Sequence, residues 1–247
     1  MYIDSHAHLF DDKIDIKTVN LSSIDKVLVP TYKMEHLSKA LSLCKAKSKL
    51  YLAVGVYPEY VGAFDKKDFS LFVEKNIKDI FAIGEVGLDR KFPNLTLQRE
   101  VLMFQLELAK KFNLPISVHL RGEVFSEFFT IMNSFNLRCA LHCFSGSKSD
   151  LQEALARGWF ISFATNLTYK RNVALRELAT LVPDNQLLIE TDSPSMAPSG
   201  FPRGSVNTSE NIHFVAETLA KARGQTVEHV ALVTSQNANN LFFKDML

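Results

Sequence analysis

Cysteine is scarce in this chain. Cys44, Cys139 and Cys143 are the only three. They are odd in number and lack Cys-x-x-Cys spacing, which speaks against a disulfide-framed fold and points to a reduced, cytoplasmic protein. An excess of charge is missing as well: 28 Lys and Arg stand against 27 Asp and Glu, a formal net charge of +1. No overall basic field therefore advertises a polyanionic partner, and any nucleic-acid contact must rest on a local patch. No apolar run approaches the length of a membrane span. The N-terminus is strand-like at once, with an acid at Asp4, unlike a secretory signal. There is no low-complexity segment, no linker, no fixed-period repeat, and no Gly-rich phosphate loop after the first strand. The last absence counts against an open dinucleotide-binding sheet.

What is present is 47% hydrophobic and 22% charged, enough for a large core in 247 residues. Apolar runs at Tyr2–Leu9, Lys26–Pro30, Leu50–Val56, Ile80–Val86, Leu114–His119, Leu137–His142, Trp159–Phe163 and Asn185–Asp192 predict strands. Helical spacing fills the intervals: Met34 to Cys44, Phe69 to Lys78, Leu97 to Phe112, Phe125 to Phe135, Ser149 (as N-cap) to Ala156, and Asn172 to Leu181. An irregular loop, Ser193 to Asn207, precedes helices at Ser209–Ala222 and Val227–Phe242. Alternating strands and helices make a parallel sheet with crossovers. With eight units, a closed (β/α)8 TIM barrel is the economical topology, and α/β barrels of this size commonly form one domain, here residues 1–247.

Strand ends carry the chemistry. In such a barrel every C-terminal strand end opens on one face, where active sites sit. That face receives His6 and His8 from the first strand, Glu85 from the fourth, His119 from the fifth, His142 from the sixth and Asp192 from the eighth. These types in concert exceed what one tetrahedral ion needs, so two divalent metal ions are expected. Glu85 can bridge them through its two oxygens. His6 and His8 serve one ion, and His119 and His142 the other. Asp192 can ligate, accept a proton from a metal-activated water, or both. Two ions ~3.5–4 Å apart suit in-line attack on a phosphoryl group. O/N ligation suits Zn, Mn, Mg or Ni. His36, His213 and His229 fall in helices and receive no role.

The strand-end motifs resemble the TatD family of metal-dependent deoxyribonucleases. The matching stretches are Ile3-Asp4-Ser5-His6-Ala7-His8, Gly84-Glu85-Val86-Gly87-Leu88-Asp89, Pro115 through His119 with Arg121, His142-Cys143-Phe144-Ser145-Gly146-Ser147 and Glu190-Thr191-Asp192-Ser193-Pro194. The similarity runs from the first strand to Asn237 and Leu241-Phe242. It implies a TIM barrel, divalent metals and phosphodiester hydrolysis, with DNA, single-stranded above all, or a smaller phosphodiester as substrate. It carries the ligand role to His6, His8, Glu85, His119, His142 and Asp192. The chain departs from the family twice. Tyr57-Pro58-Glu59 stands where His-Pro-His is common, and Ser205-Val206-Asn207-Thr208 keeps an Asn without the usual following proline.

Cations follow strands four to eight: Arg90, Lys91, Arg121, Lys148, Lys170, Arg171 and Arg203. Arg121, two residues beyond His119, is expected over the metals, and Tyr57 and Arg203 join it as candidate substrate contacts. Phe92, Phe144, Tyr169 and Phe201 are placed to stack on bases. Cys143 reads as a buried small residue. Two other functions fit the same residues: an amidohydrolase acting on a small ester, lactone or amide, which would not need the cationic rim, and a non-catalytic metal-dependent binding module. No membrane and no obligate protein partner is implied.

Overall fold

The alternation of side chains along each strand decides what the strand packs against. In β2 (Ile24–Pro30) Val27 and Val29 face outward toward helices, whereas Leu28 faces inward. The computed structural model describes residues 1–243 and pairs eight parallel strands in chain order. The others are β1 (Tyr2–Asp4), β3 (Leu50–Val54), β4 (Ile80–Asp89), β5 (Ile116–Arg121), β6 (Cys139–Leu141), β7 (Phe160–Phe163) and β8 (Leu187–Ile189). Helices α1 (Leu37–Ala46), α2 (Lys66–Lys75), α3 (Leu95–Lys111), α4 (Phe125–Met132), α5 (Lys148–Ala156) and α6 (Val173–Thr180) lie between them from β2 onward. Two more, α7 (Ile212–Arg223) and α8 (Val227–Ala238), follow β8. Past the β1 ladder the backbone still meets the β8 side: Ser5 N–H donates to Ile189 C=O (3.2 Å), and Asp192 N–H to His6 C=O (2.9 Å). These bonds draw the last strand against the first, in the TIM-barrel arrangement.

The barrel interior changes character along its axis. Ile3, Leu28, Ala53, Ala82, Ala140 and Leu188 fill its lower part, and Leu241, Phe242 and Phe243 plug it from below, packed against Tyr51 and Phe81 near the starts of β3 and β4. Above this apolar layer the inward positions turn to hydroxyls, Ser117 and Ser162. Histidines and carboxylates stand above them at the C-terminal mouth. Ile116, Val118, Ile161 and Leu187 alternate with the inward residues and bury outward under the helices. The strands are therefore covered on both faces, as parallel sheets are.

Element ends differ from the sequence expectation where side-chain caps decide them. α5 starts at Lys148, because Ser147 and not Ser149 is its N-cap: Ser147 accepts from Asp150 N–H, and Asp150 reciprocates in a capping box. Asp65 and Asn94 start α2 and α3 earlier than periodicity suggests. α4 stops at Met132, three residues early, and α8 gives way at Ala238 to a π-turn over Asn239–Phe243. No helix among the described residues is long and apolar enough to cross a membrane.

Candidate metal centre

The site begins with a bulge. Between the pairs Ile83↔Ile116 and Val86↔Val118, β4 spends two residues, Gly84 and Glu85, against the single Ser117 of β5. Such bulges re-aim side chains beside active sites, and Glu85 is the residue this one carries. Glu85 therefore sits within β4, which continues to Asp89, rather than at the strand's end as the apolar run suggested. Two glycines make room. A Cβ on Gly55 would lie 2.5 Å from the Gly84 carbonyl carbon, and one on Gly87 (φ +155°) would lie 1.8 Å from His119 O. Any side chain at either position would force β3 or β5 away from the bulge.

Glu85 is 5% exposed and divides its oxygens between two histidine pairs. Oε1 lies 2.9 Å from His142 Nε2 and 3.2 Å from His119 Nδ1. Oε2 lies 3.5 Å from His8 Nε2 and 3.6 Å from His6 Nε2. Asp192 Oδ1 approaches that second pair at 3.6 Å and 3.9 Å. His6 and His8 follow the β1 ladder rather than forming part of it, yet their Nε2 atoms converge to 3.3 Å. Ligand atoms ~2.1 Å from a tetrahedral ion are about 3.4 Å apart, so these separations fit shared cations. Among the described residues three groups bring their ligand atoms within 4.8 Å of one another: His6–His8–Glu85, Glu85–His119–His142 and His6–His142–Asp192.

Each imidazole turns one nitrogen inward and gives the other to a holding group. His8 Nδ1 donates to Pro30 C=O (2.8 Å), and His6 Nδ1 meets Ser117 Oγ (3.2 Å). His119 Nε2 meets Asp89 Oδ2, and His142 Nδ1 meets Glu190 Oε1, both at 3.1 Å. Such partners set tautomer and ring orientation. Glu190 is fully buried and also accepts from Cys143 N–H (2.7 Å) and Ser162 Oγ (2.6 Å). Asp4, buried beneath Thr191, accepts from its N–H and Oγ1. Burial raises the Asp4 carboxyl to about 7 against those hydrogen bonds. Glu190, Asp4 and Asp89 escaped assignment in the sequence. Their signal was position: each lies two to four residues from a candidate ligand on a strand reaching the mouth, though only folding shows which nitrogen they hold.

At the centre Glu85 and His142 stabilise each other's charge. Burial alone would raise Glu85, but the His142 charge and hydrogen bonds from His119, His142 and His6 hold it well below the usual carboxylate range. Burial opposes charge on His142, yet Glu85 and Glu190 hold it well above an ordinary imidazole. Burial and His142 together push His6 down. Asp192 takes a backbone φ of +54°, uncommon outside glycine and a feature of functional sites.

The second ring of sequence candidates divides. Arg121 lines the cavity above the centre, about 370 Å³, with its Nη2 3.6 Å from Cys143 Sγ and no ion pair among the described residues. Tyr57 lines it too: its OH donates to Asp89 Oδ2 (3.1 Å) and lies 3.2 Å from His119 Nε2. Glu59 stands exposed at the same cavity's edge, so neither departure residue turns away. Arg203 is elsewhere, in a neighbouring groove with Lys170 and Arg171. Phe144 does not offer a face to a base: it is 2% exposed and packs on Phe125. Cys143 is buried as expected. Asn207, kept without its proline, staples the loop after β8: its Nδ2 donates to Thr191 C=O (2.9 Å) and Thr165 Oγ1 (3.0 Å).

The chain is similar to known proteins over nearly its whole length. A family model described as TatD related DNase matches residues 3–243. An uncharacterized metal-dependent hydrolase of Bacillus subtilis, YabD, is 30% identical over 98% of this chain and 99% of its own. The 3'-5' ssDNA/RNA exonuclease TatD of Escherichia coli is 27% identical over 90% of this chain and 88% of its own. The crystal structure of YjjV, a TatD homologue from E. coli, superposes with a TM-score of 0.90 at 26% identity, covering 98% of this chain and 97% of that one.

Proposed function

Since the chain belongs to the TatD related DNase family and is one of its metal-dependent hydrolases, we propose that it hydrolyses phosphodiester bonds of DNA, single-stranded by preference, with two divalent ions. The reading treats the chain as one catalytic barrel domain in a reducing, cytoplasmic setting, where the free thiols of Cys44, Cys139 and Cys143 persist. One observation carries it: the two oxygens of Glu85 address two separate histidine pairs. A single ion would leave one pair without purpose.

In this reading His6 and His8 would hold one ion and His119 and His142 the other, with Glu85 offering one oxygen to each pair. Bound there, Zn, Mn, Mg or Ni supplies Lewis acidity toward the phosphoryl oxygen and lowers the pKa of water. The chain's own residues do the rest. Asp192, against His6 and His8, accepts the proton that the attacking water gives up. Arg121 reaches the scissile phosphate with paired N–H donors, a geometry matched to phosphate oxygens. Tyr57, whose phenol burial, with Glu85 and Asp89 close by, keeps protonated, gives its one O–H to the substrate in exchange for its contact to Asp89.

Chelated protein is expected to lose activity and to regain it with a divalent cation. Asp192→Asn is expected to cut turnover roughly 10²–10⁴-fold, the scale for losing a general base, while the fold survives. Metal-loaded protein should cleave bis-p-nitrophenyl phosphate and single-stranded DNA in preference to p-nitrophenyl acetate. Preference for the acetate ester would instead identify a small-ester hydrolase.

A further inference from the structure

Beside the candidate metal centre runs a second depression of about 780 Å³, between the loops after β7 and β8. Lys13, Pro194 and Ser195 line both, so one opens into the other. The charge of this groove is one-sided: Lys13, Lys170, Arg171 and Arg203 line it, and among the described residues no Asp or Glu does. All four are exposed, and none forms an ion pair among the described residues. In a chain of net charge +1, four cations without a carboxylate between them form a local concentration of positive potential. The metal-side cavity carries acids instead, Asp11 and Glu59 among its lining residues.

The loop that bears Lys170 and Arg171 is built rather than slack. Arg176 turns its guanidinium inward onto the backbone carbonyls of Leu167, Tyr169 and Lys170, at 2.9, 2.7 and 3.0 Å. Tyr169 OH donates to Ala197 C=O (3.1 Å), and Ser199 N–H to Thr168 Oγ1 (2.8 Å), joining the β7 loop to the β8 loop. Arg176 is thereby used up internally, while Lys170 and Arg171 point to solvent. The Arg171 guanidinium lies over the Tyr169 ring, 5.7 Å from its centre. Phe201, 41% exposed, supplies an apolar face on the groove's other side.

We propose that this groove is the track for the uncleaved part of a single-stranded nucleic acid whose scissile phosphate lies at the metal centre. Lys13 sits at the junction, Lys170, Arg171 and Arg203 neutralise successive phosphates, and Tyr169 and Phe201 meet bases. Cations that follow a backbone, interleaved with rings, are how sequence-tolerant single-strand binders work. Among the described residues acids line the metal-side cavity and not the groove, so a polyanion leaves along the groove. Of the cations expected at the rim, Arg90, Lys91 and Lys148 take no part, since they line neither depression.

The assignment rests on the phosphodiesterase reading, and binding separates the two. A fluorescent oligothymidylate of about twelve nucleotides, within the site sizes of such binders, is titrated into metal-free protein between about 50 and 200 mM salt. Each phosphate contact on a single strand contributes about 0.7 to the slope of log affinity against log salt. Lys170→Gln with Arg171→Gln should flatten that slope by about 1.4. Lys67→Gln with Lys75→Gln, which removes equal charge from the far-side helix α2, should leave it unchanged. Metal-loaded Lys170→Gln/Arg171→Gln protein should cleave the oligonucleotide at least tenfold more slowly and bis-p-nitrophenyl phosphate, too short to reach the groove, at a rate within about twofold of the parent. An oligonucleotide that does not bind, or a slope that moves equally for both double variants, overturns the track. Groove-dependent binding in a protein that leaves every phosphodiester intact supports the track and removes the catalytic reading instead.

Discussion

Asp89 Oδ2 lies 3.1 Å from His119 Nε2, across the imidazole from the nitrogen that faces Glu85. The contact exists because β4 continues four residues past Glu85 and pairs Asp89 beside Arg121 of β5. A carboxylate there orients the ring and raises its basicity as a ligand. Asp89→Asn is expected to weaken metal binding roughly 10–100-fold, the usual cost of losing such a partner. Tyr57→Phe, which removes the phenol contacts to Asp89 and His119 but leaves the carboxylate on the ring, should weaken it less. Calorimetric metal titration of the three proteins checks the order, and unchanged affinity in Asp89→Asn would reduce Asp89 to a bystander.

Glu85 is expected to set metal stoichiometry. Because its oxygens face different histidine pairs, Glu85→Ala should lower occupancy at both positions together, by elemental analysis after dialysis against limiting metal. Loss of one ion with full retention of the other would show that it serves a single site. Folding should persist, since residues at this end of a barrel serve function more than packing.

Glu190 has no exposure and ties His142, Cys143 N–H and Ser162 together. Removing one partner of a buried charged pair commonly costs about 3–5 kcal/mol. Glu190→Ala should therefore lower metal-free stability by an amount on that order in urea denaturation. Glu190→Gln, which keeps the volume, should lose less.

Glu59 should act as a brake on polyanionic substrates. A like charge ~4 Å away costs about 1 kcal/mol in a water-like dielectric, roughly fivefold in rate, and salt screens it. Glu59→Gln should raise kcat/KM on single-stranded DNA by up to that factor at low salt and leave bis-p-nitrophenyl phosphate nearly unaffected. A ratio of the two activities that stays constant would show that the side chain does not feel the substrate.

Away from the centre, Asp184 ties the approach to β8 to α7 and α8. His229 Nε2 lies 2.7 Å from it, Arg223 Nη2 2.5 Å and Gln225 Nε2 3.1 Å. The His229 hydrogen bond, with those of Gln225 and Arg223 and against some burial, lowers its carboxyl from 3.8 to about 2. A depressed folded-state pKa contributes stability that is fully present above about pH 4 and is lost as pH falls through about 2. With the side chain 39% exposed, solvent screening limits the effect to about 1 kcal/mol at most, roughly 2–4 °C in Tm. Asp184→Asn should melt below the parent by such a margin at pH 5, and the curves should meet near pH 2.

Sequence alone determined the barrel and the list of groups at its mouth. Strand-length apolar runs alternate with helical spacing, and His119, His142 and Asp192 each close such a run, so chain order already put them on one face. That information is local and periodic, and it survives without coordinates. Tertiary structure decided everything that depends on distances between strands. The two-for-one bulge at Gly84 and Glu85 is a property of the pairing with Ser117, and it alone turns the carboxylate between the histidine pairs. Asp89, Glu190 and Asp4 became partners of particular atoms only when residues up to 187 positions apart met. The rim cations show the same limit. Sequence puts all of them after strand ends, but whether a long flexible side chain faces the centre, as Arg121 does, or a separate groove, as Arg203 does, depends on how neighbouring loops pack. Loop packing is set by contacts such as Tyr169 with Ala197 and Asn207 with Thr191, which no periodicity encodes.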